Sequence, residues 1–234
     1  MSLGVRQDTL KLQVIPLRMS LPFMKNYSYL CIHPVSHDVV IIDPTGEMEK
    51  IVQALSKAEA VLRGILITHA HPDHIHLVKP LVKKYNCPVW MFREEIVASG
   101  FSCDHLIGLA EIPWSVGEIK IRPFLTPGHT PGSACYLVED NLFTGDTLFT
   151  EGCGSCFGDR AATQTLFTSL QYLKGEIKPE TRVFPGHSYG KKPGNSFFRL
   201  LRENIYLQFN NMEDFCAFRL RKGQKNLFNF RWGT

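Results

Sequence analysis

One short segment of the chain carries four side chains that can bind metal ions. These are His69, His71, Asp73 and His74. They directly follow the apolar run Gly64–Thr68, which is predicted to be a buried strand. A loop at the end of a strand can turn alternate side chains toward one point while the sheet holds the backbone fixed. Because neutral imidazole and carboxylate groups suit zinc and other divalent first-row metals, the segment predicts a metal site.

Three further loops each offer one more metal-binding side chain. His129 lies in the Gly- and Pro-rich turn 126–132, Asp146 follows an apolar strand in Phe-Thr-Gly-Asp, and His187 ends another strand in Phe-Pro-Gly-His. Each loop alone is weak evidence, since an acid after glycine is usually an ordinary turn residue. Together they show the same local arrangement three times: a sharply turned backbone that presents a single ligand at a sheet edge. We therefore expect these side chains to join the first four.

The surrounding hydrophobic pattern predicts strands and helices in two halves of similar style. In the first half we expect strands at Leu12–Leu17, Tyr27–Ile32, Val39–Asp43 and Gly64–Thr68, and helices at Glu47–Lys57 and Asp73–Tyr85. In the second half we expect strands at Ile119–Phe124, Ala134–Val138, Asn141–Thr144 and Arg182–Pro185, and helices at Gln164–Lys174, Ser196–Gln208 and Met212–Lys222. Strands that precede helices and strands that pair with neighbours are both present. Two mixed sheets packed inside helices, an α+β architecture, fit best.

The composition is that of an ordinary globular protein. The chain has 234 residues, of which 44% are hydrophobic and 21% charged, and its start lacks the apolar stretch of a signal peptide. Seven cysteines are scattered along the chain, and the CxxC pair Cys153 and Cys156 has no second pair to complete a four-sulfur site. These observations predict a cytoplasmic protein with free thiols and no membrane association.

Positive charge is concentrated near the C-terminus. The chain carries +4 overall, but residues 190–234 hold nine Lys/Arg against three acids, so the rest of the chain is negative. A net charge of this size does not indicate nucleic-acid binding. The basic run is either a solvated helical surface or a docking surface for an acidic partner.

The metal-binding loops resemble those of the metallo-β-lactamase-fold superfamily. The resemblance covers roughly residues 10 to 190 and includes the HxHxDH run at 69–74, the single ligands downstream, and Asp43 in Ile-Ile-Asp-Pro. It implies a four-layer αββα sandwich with the site at one edge. On this basis we expect one domain over residues 1–234, made of that core and a basic helical C-terminal extension at 191–234.

The resemblance also implies a role for each side chain in a site for two divalent ions. His69, His71 and His129 would hold one ion; Asp73, His74 and His187 would hold the other; Asp146 would bridge them; and Asp43 would orient an imidazole without binding metal. Zinc is the expected metal, with iron or manganese as alternatives. A water between two such ions ionises near neutral pH, and Asp73 would accept a hydrogen bond from the resulting nucleophile.

Within the superfamily the chain resembles glyoxalase II, a thioester hydrolase. The similar stretches run from Leu148 to Gly154 and from Thr181 to Tyr189, and Phe157 and Tyr189 fall where that family keeps aromatic substrate contacts. Ile75-His76 and Ser155 depart from its pattern, and about 45 residues of different character replace its long helical C-terminal domain.

The C-terminal part resembles a narrower group, the glyoxalase-II-like hydrolases encoded with bacterial trans-acyltransferase polyketide synthases. The similar stretches include Asn204–Tyr206, Phe218–Lys222 and Leu227–Phe230. Those enzymes are taken to hydrolyse acyl thioesters on small acidic acyl carrier proteins, which the basic C-terminal segment would suit.

Two other functions remain open at this point. A persulfide dioxygenase shares the fold and several ligands but uses a single iron and oxygen, and the stretch Gly152-Cys153-Gly154 is compatible with it. A non-catalytic member of the fold would bind a ligand without turnover. Such members generally lose ligands, whereas this chain has all seven.

Overall fold

The computed structural model describes residues 11–20 and 25–221. These residues form twelve strands, seven α-helices and one 3-10 turn at Ile205–Leu207. The strands are β1 (Gln13–Ser20), β2 (Lys25–Ile32), β3 (Asp38–Ile42), β4 (Val61–Leu66), β5 (Val89–Phe92), β6 (Leu106–Leu109), β7 (Trp114–Val116), β8 (Ile119–Leu125), β9 (Ala134–Val138), β10 (Asn141–Gly145), β11 (Arg182–Pro185) and β12 (Asn195–Ser196). The helices are α1 (Met48–Lys57), α2 (Pro72–Ile75), α3 (Val78–Tyr85), α4 (Arg93–Ser99), α5 (Arg160–Glu176), α6 (Phe197–Glu203) and α7 (Met212–Leu220).

The strands form two six-stranded sheets that follow chain order. The first sheet runs β1-β2-β3-β4-β5-β6 and the second runs β12-β11-β10-β9-β8-β7. In the first, β1 to β3 are antiparallel and β3 to β6 are parallel. In the second, β10 and β11 are parallel and the other pairs are antiparallel. Both sheets are therefore mixed, as expected.

The first sheet is covered on both faces, by the second sheet on one side and by helices on the other. Along β3 the side chains alternate: Val40 and Ile42 join a core shared with the second sheet, whereas Val39 and Ile41 pack under helices. Successive strand residues point to opposite faces, so a strand that is apolar throughout must be covered on both sides.

Helices cover the outer face of each sheet. Helices α1 and α3 pack on the first sheet, and α5, α6 and α7 share a core with the second. The αββα sandwich is confirmed. The C-terminal helices belong to one of its layers, and none of the helices in the described part of the chain is both long enough and apolar enough to cross a bilayer.

The helix predicted at Asp73–Tyr85 is two helices, α2 and α3. The break lies at His76 and Leu77, where the Leu77 amide donates instead to the Pro44 carbonyl. Pro80 explains the break, because a proline inside a helix lacks an N–H and clashes with the carbonyl four residues earlier. With α3 starting at Val78, that proline falls in the first turn, where its N–H is not needed.

The helix predicted at Ser196–Gln208 also ends early. Asn204 is fully buried and leaves helical geometry, and its side-chain amide donates to the carbonyls of Phe149 and Gly152. Its side-chain oxygen caps the following 3-10 turn at Tyr206. The last helix ends at Leu220, and Lys222, which the prediction included, lies outside the described residues.

The region between residues 89 and 116 is organised more than the sequence pattern indicated. It contains β5, α4, β6 and β7, which were not predicted. These elements are three to seven residues long, too short for a hydrophobic period to show.

Two buried tyrosines tie the sheets together across the central core. Tyr29 on β2 donates to the Pro185 carbonyl at 2.5 Å, and Tyr136 on β9 donates to the Ile67 carbonyl at 2.8 Å. Each of the two accepting carbonyls lies two residues before a predicted metal ligand, His187 or His69. The two sheets are therefore held in a fixed relation where these loops meet.

We expect Tyr136→Phe to lower the free energy of unfolding by about 1–3 kcal/mol, because it leaves the buried Ile67 carbonyl without its donor. Urea denaturation monitored by circular dichroism measures this. Tyr172→Phe is the matched control: it removes a hydroxyl that contacts Glu111 at the surface, and a change within about 0.5 kcal/mol is expected. Equal effects of the two substitutions would contradict the cross-sheet role of Tyr136.

Candidate metal centre

The loop after β4 is held down by Asp43, which follows β3 on the neighbouring strand. Its carboxylate accepts hydrogen bonds from the Thr68 amide at 2.8 Å and the Thr68 hydroxyl at 2.6 Å. Asp43 Oδ2 also lies 2.9 Å from Nδ1 of His74. Asp43 lies close enough to His69 and His74 to be a ligand itself. Because its oxygens are already engaged by these donors, its geometry fits an orienting role.

Three histidines form a first group, with their ring nitrogens directed at one another. Nε2 of His69 and Nε2 of His129 each lie 3.0 Å from Nδ1 of His71. His69 and His129 are buried. The other ring nitrogen of His129 lies 2.8 Å from the Ser155 carbonyl, so the proton belongs on Nδ1 and the lone pair of Nε2 faces the group.

Asp73, His74 and His187 form a second group on the other side. Nε2 of His187 lies 3.3 Å from Oδ2 of Asp73, and Nε2 of His74 lies 3.6 Å from the same oxygen. All three side chains are buried. In each group the potential ligand atoms lie within 4.8 Å of one another.

Asp146, at the end of β10, lies between the two groups. One carboxylate oxygen is 3.5 Å from Nε2 of His129 in the first group and 3.3 Å from Nε2 of His187 in the second. The other oxygen is 3.4 Å from Nε2 of His74. The structure thus brings all seven predicted side chains to one place, with one carboxylate reaching both groups.

Among the seven candidate ligand side chains, two buried atoms have no hydrogen-bond partner in the described residues, namely Nε2 of His74 and Oδ1 of Asp146. They face each other at 3.4 Å without meeting hydrogen-bond geometry. A buried polar atom without a partner costs about 1–3 kcal/mol. A nitrogen and an oxygen left in this way, among further nitrogens and oxygens at similar distances, fit a site for divalent cations.

Burial and mutual interaction shift the pKa values of these groups in opposite directions. Burial lowers the pKa of His129 to about 4, and it also lowers the pKa of His69. Burial lowers the pKa of His187 too, but Asp146 and Asp73 outweigh it and raise that pKa to about 9. Burial raises the pKa of Asp146, but His187 and His74 hold it well below its usual value. These shifts favour neutral imidazoles at His69 and His129 in the first group, and positive charge beside ionised carboxylates in the second.

Glycines let the ligand loops approach one another. A side chain at Gly186 would start 2.6 Å from an oxygen of Asp146 and 2.6 Å from the ring of His74. Gly145 has φ +46°, and a Cβ there would meet the Thr68 hydroxyl at 2.3 Å. The glycines before Asp146 and His187 are therefore required by close approach.

The two predicted substrate-contact residues lie on opposite sides of the centre. The Phe157 ring is 61% exposed and lies 6.0 Å from the ring of His71 and 5.9 Å from that of His129. The Tyr189 ring lies 6.4 Å from that of His187 and packs against Phe149. Either ring could contact a molecule that reaches the two groups.

Residues at the start of β2 hold the second group in place, and the sequence did not reveal this supporting role. The side-chain amide of Asn26 donates to both the backbone carbonyl and Oδ2 of Asp73 at 2.9 Å, and Asn26 is buried. Nδ1 of His187 lies 3.2 Å from the Lys25 carbonyl, and Asn26 and His187 form an isolated β-bridge. A single asparagine and a backbone carbonyl carry no recognisable motif.

Comparison with known proteins agrees with this geometry. The family model described as "Metallo-beta-lactamase superfamily" matches residues 23–102, and a crystal structure of a metallo-beta-lactamase from Staphylococcus aureus superposes with a TM-score of 0.80 at 21% identity, covering 92% of this chain and 68% of that one. A structure at this identity shows the fold. The family model, together with a relative that is 43% identical over 94% of this chain, shows that the chain belongs to the metallo-beta-lactamase superfamily.

Two relatives show which members of the superfamily this chain is similar to. The chain is 43% identical over 220 residues to the protein described as "Probable polyketide biosynthesis zinc-dependent hydrolase PksB" from Bacillus subtilis, covering 94% of this chain and 98% of the relative. It is 36% identical over 183 residues to a hydroxyacylglutathione hydrolase from Shewanella halifaxensis, covering 76% of this chain but 66% of the relative. The similarity to PksB thus spans nearly all of both chains, whereas a third of the hydroxyacylglutathione hydrolase lies outside the match.

We expect Asp43→Asn to weaken Zn²⁺ binding by about 10- to 100-fold, because an amide in place of the carboxylate no longer orients both Thr68 and His74. Competition with a chromophoric chelator measures the affinity. Asp38→Asn, at the opposite end of β3, is the matched control, since Asp38 is also buried but its carboxylate pairs with the exposed Arg63 side chain and not with a ligand. Unchanged zinc affinity in Asp43→Asn would rule out the orienting role.

Proposed function

We propose that this protein is a zinc-dependent hydrolase of acyl thioesters that acts on substrates carried by an acyl carrier protein in polyketide biosynthesis. Two ions would be held, one by His69, His71 and His129 and one by Asp73, His74 and His187, with Asp146 shared. Zinc is the proposed metal because PksB is described as a zinc-dependent hydrolase.

One observation carries the proposal: Asp146 reaches both ligand groups from a single strand end. One ion would need only one group, whereas a shared carboxylate between two groups suits two ions a short distance apart. Divalent ions in such a pair lower the pKa of a water to near neutrality and polarise the carbonyl that it attacks.

The chain's own residues would align the reaction. Asn26 fixes the Asp73 carboxylate within the second group. There the carboxylate would accept a hydrogen bond from the attacking water and orient it. Phe157 and Tyr189 would contact the acyl thioester from either side. A thiol leaving group has a pKa near ~8.5, so it departs as thiolate without a strong acid to protonate it.

The alternatives have less support. The relative that matches nearly the whole chain is described as a hydrolase, which favours neither a dioxygenase nor a protein without activity. A persulfide dioxygenase with a single iron would leave one of the two ligand groups without a purpose.

We expect the zinc-loaded protein to hydrolyse acyl thioesters and to lose this activity when a chelator removes the metal. Asp146→Asn should reduce kcat/KM by at least about 100-fold, because even residues that merely support ligands cost about 10- to 100-fold. Asp140→Asn, exposed at the opposite end of β10, is the matched control and should be near wild type. Release of free thiol is followed with a panel of acyl-carrier and coenzyme A thioesters.

Oxygen uptake is recorded in the same assays. Failure of the metal-loaded protein to cleave any thioester would contradict the proposal, and turnover coupled to oxygen consumption would favour the dioxygenase.

The carrier protein would dock on exposed basic residues of the C-terminal extension. Several basic residues there are engaged elsewhere: Lys191 and Arg199 pair with Glu203, and Arg219 donates to the Gly154 carbonyl and stacks on Tyr206. Within the described part of the extension, the exposed cations without an acidic partner are Lys192, Arg202 and Arg221. Lys222, Lys225, Arg231 and the segment 227–230 lie outside the described residues. Lys192 follows Tyr189 by three residues in the chain, so this surface would begin near the metal centre.

We expect Lys192→Glu combined with Arg202→Glu to raise KM for a carrier-bound thioester about tenfold while leaving a small neutral thioester with the same acyl group unaffected, since surface charge steers charged partners. Lys83→Glu with Lys84→Glu, on α3 against the other sheet, is the matched control. Higher salt should weaken the difference. Equal effects on both substrates would remove the support for docking.

A further inference from the structure

Glu95 is a buried carboxylate that none of the roles above uses. It lies in the first turn of α4, is 2% exposed, and its neighbour Glu94 is exposed to solvent. An ionised carboxylate is rarely buried without compensation, because removing it from water is costly. Its partners therefore indicate what it does.

All the hydrogen-bond donors recorded for the Glu95 carboxylate come from two metal-binding loops. One oxygen accepts from the Ala70 amide at 2.8 Å. The other accepts from the Thr130 hydroxyl at 2.7 Å and the Gly132 amide at 3.0 Å. Charge-assisted bonds of this kind are about twice as strong as neutral ones. A single side chain thus joins the loop after β4 to the loop between β8 and β9.

Two of these donors are sequence neighbours of ligands in the first group. Ala70 lies between His69 and His71, and Thr130 directly follows His129. The loop also packs tightly on the start of α4, since a Cβ at Gly132 would lie 2.0 Å from the Glu95 amide nitrogen. The three imidazoles of the first group therefore lie on the two backbone segments that Glu95 connects.

The second group has separate supports. Asp43 contacts His74, Asn26 contacts Asp73, and the Lys25 carbonyl contacts His187. None of these contacts involves Glu95. The contacts of Glu95 thus lie beside ligands of the first group only, whereas Asp43, which also accepts from Thr68, supports the loop that carries ligands of both groups.

We propose that Glu95 is a positioning residue that sets the distance between the ligand loops of the first group and thereby fixes the affinity of that group alone for a divalent cation. The inference rests on the two-ion centre proposed above, but not on the reaction carried out there. It predicts that the two groups can be loosened independently.

The test measures Zn²⁺ affinity by chelator competition in two backgrounds that each retain one group. His187→Ala keeps the first group, and His129→Ala keeps the second. We expect Glu95→Gln to weaken zinc binding by about 10- to 100-fold in the His187→Ala background, because the amide NH₂ must face one of the loop donors. In the His129→Ala background the affinity should change by less than about twofold. Glu94→Gln, the same chemical change one residue away, should have no effect in either.

Thr130→Val is the second variant, in case Glu95→Gln fails to fold. It keeps the carboxylate and its two backbone donors but removes the hydroxyl donor. A smaller loss of zinc affinity, confined to the His187→Ala background, would support the proposal. Equal losses in both backgrounds, or no loss in either, would overturn it. Zinc binding without thioester hydrolysis would contradict the proposed function and leave the role of Glu95 intact.

Discussion

Five imidazole rings and two carboxylates share one largely buried volume where the two sheets meet, and the rest of the fold is arranged around that cluster. Groups of this kind repel one another or lose hydration when they are brought together, so such a cluster is costly by itself. The surrounding chain holds it from several directions. Asp43 holds one loop from the neighbouring strand, Asn26 reaches across from β2, and backbone carbonyls fix the outer nitrogens of His129 and His187.

Much of this could be predicted because the ligands stand at the ends of regular elements. A strand that carries an apolar run and is followed within three residues by a histidine or an aspartate predicts both the buried strand and the position of its ligand. Asp43, His69, Asp146 and His187 all follow this rule on β3, β4, β10 and β11. The sandwich followed from the same pattern, because strands buried on both faces need helices outside.

Other parts could not be predicted, for two physical reasons. Glu95 and Asn26 act on residues distant in sequence, through side-chain hydrogen bonds that leave no sequence spacing to recognise. The elements from β5 to β7 are too short for a hydrophobic period to show in the sequence. The break between α2 and α3 is different, because Pro80 already signals it. Asn204 ends α6 for a tertiary reason, its contact with the loop at 149–152, which no local pattern contains.

The origin of the ligands has a consequence for stability. Asp73 and His74 lie on α2, which follows β4 of the first sheet, whereas Asp146 and His187 follow β10 and β11 of the second. A cation held by all four would cross-link the halves of the sandwich, and the separated halves could not offer the same set of ligands. Its binding free energy would then add to the cohesion between the sheets, so resistance to unfolding would rise with the logarithm of the free metal concentration. In a cell, the supply of metal would set how long the folded protein persists as well as how fast it works.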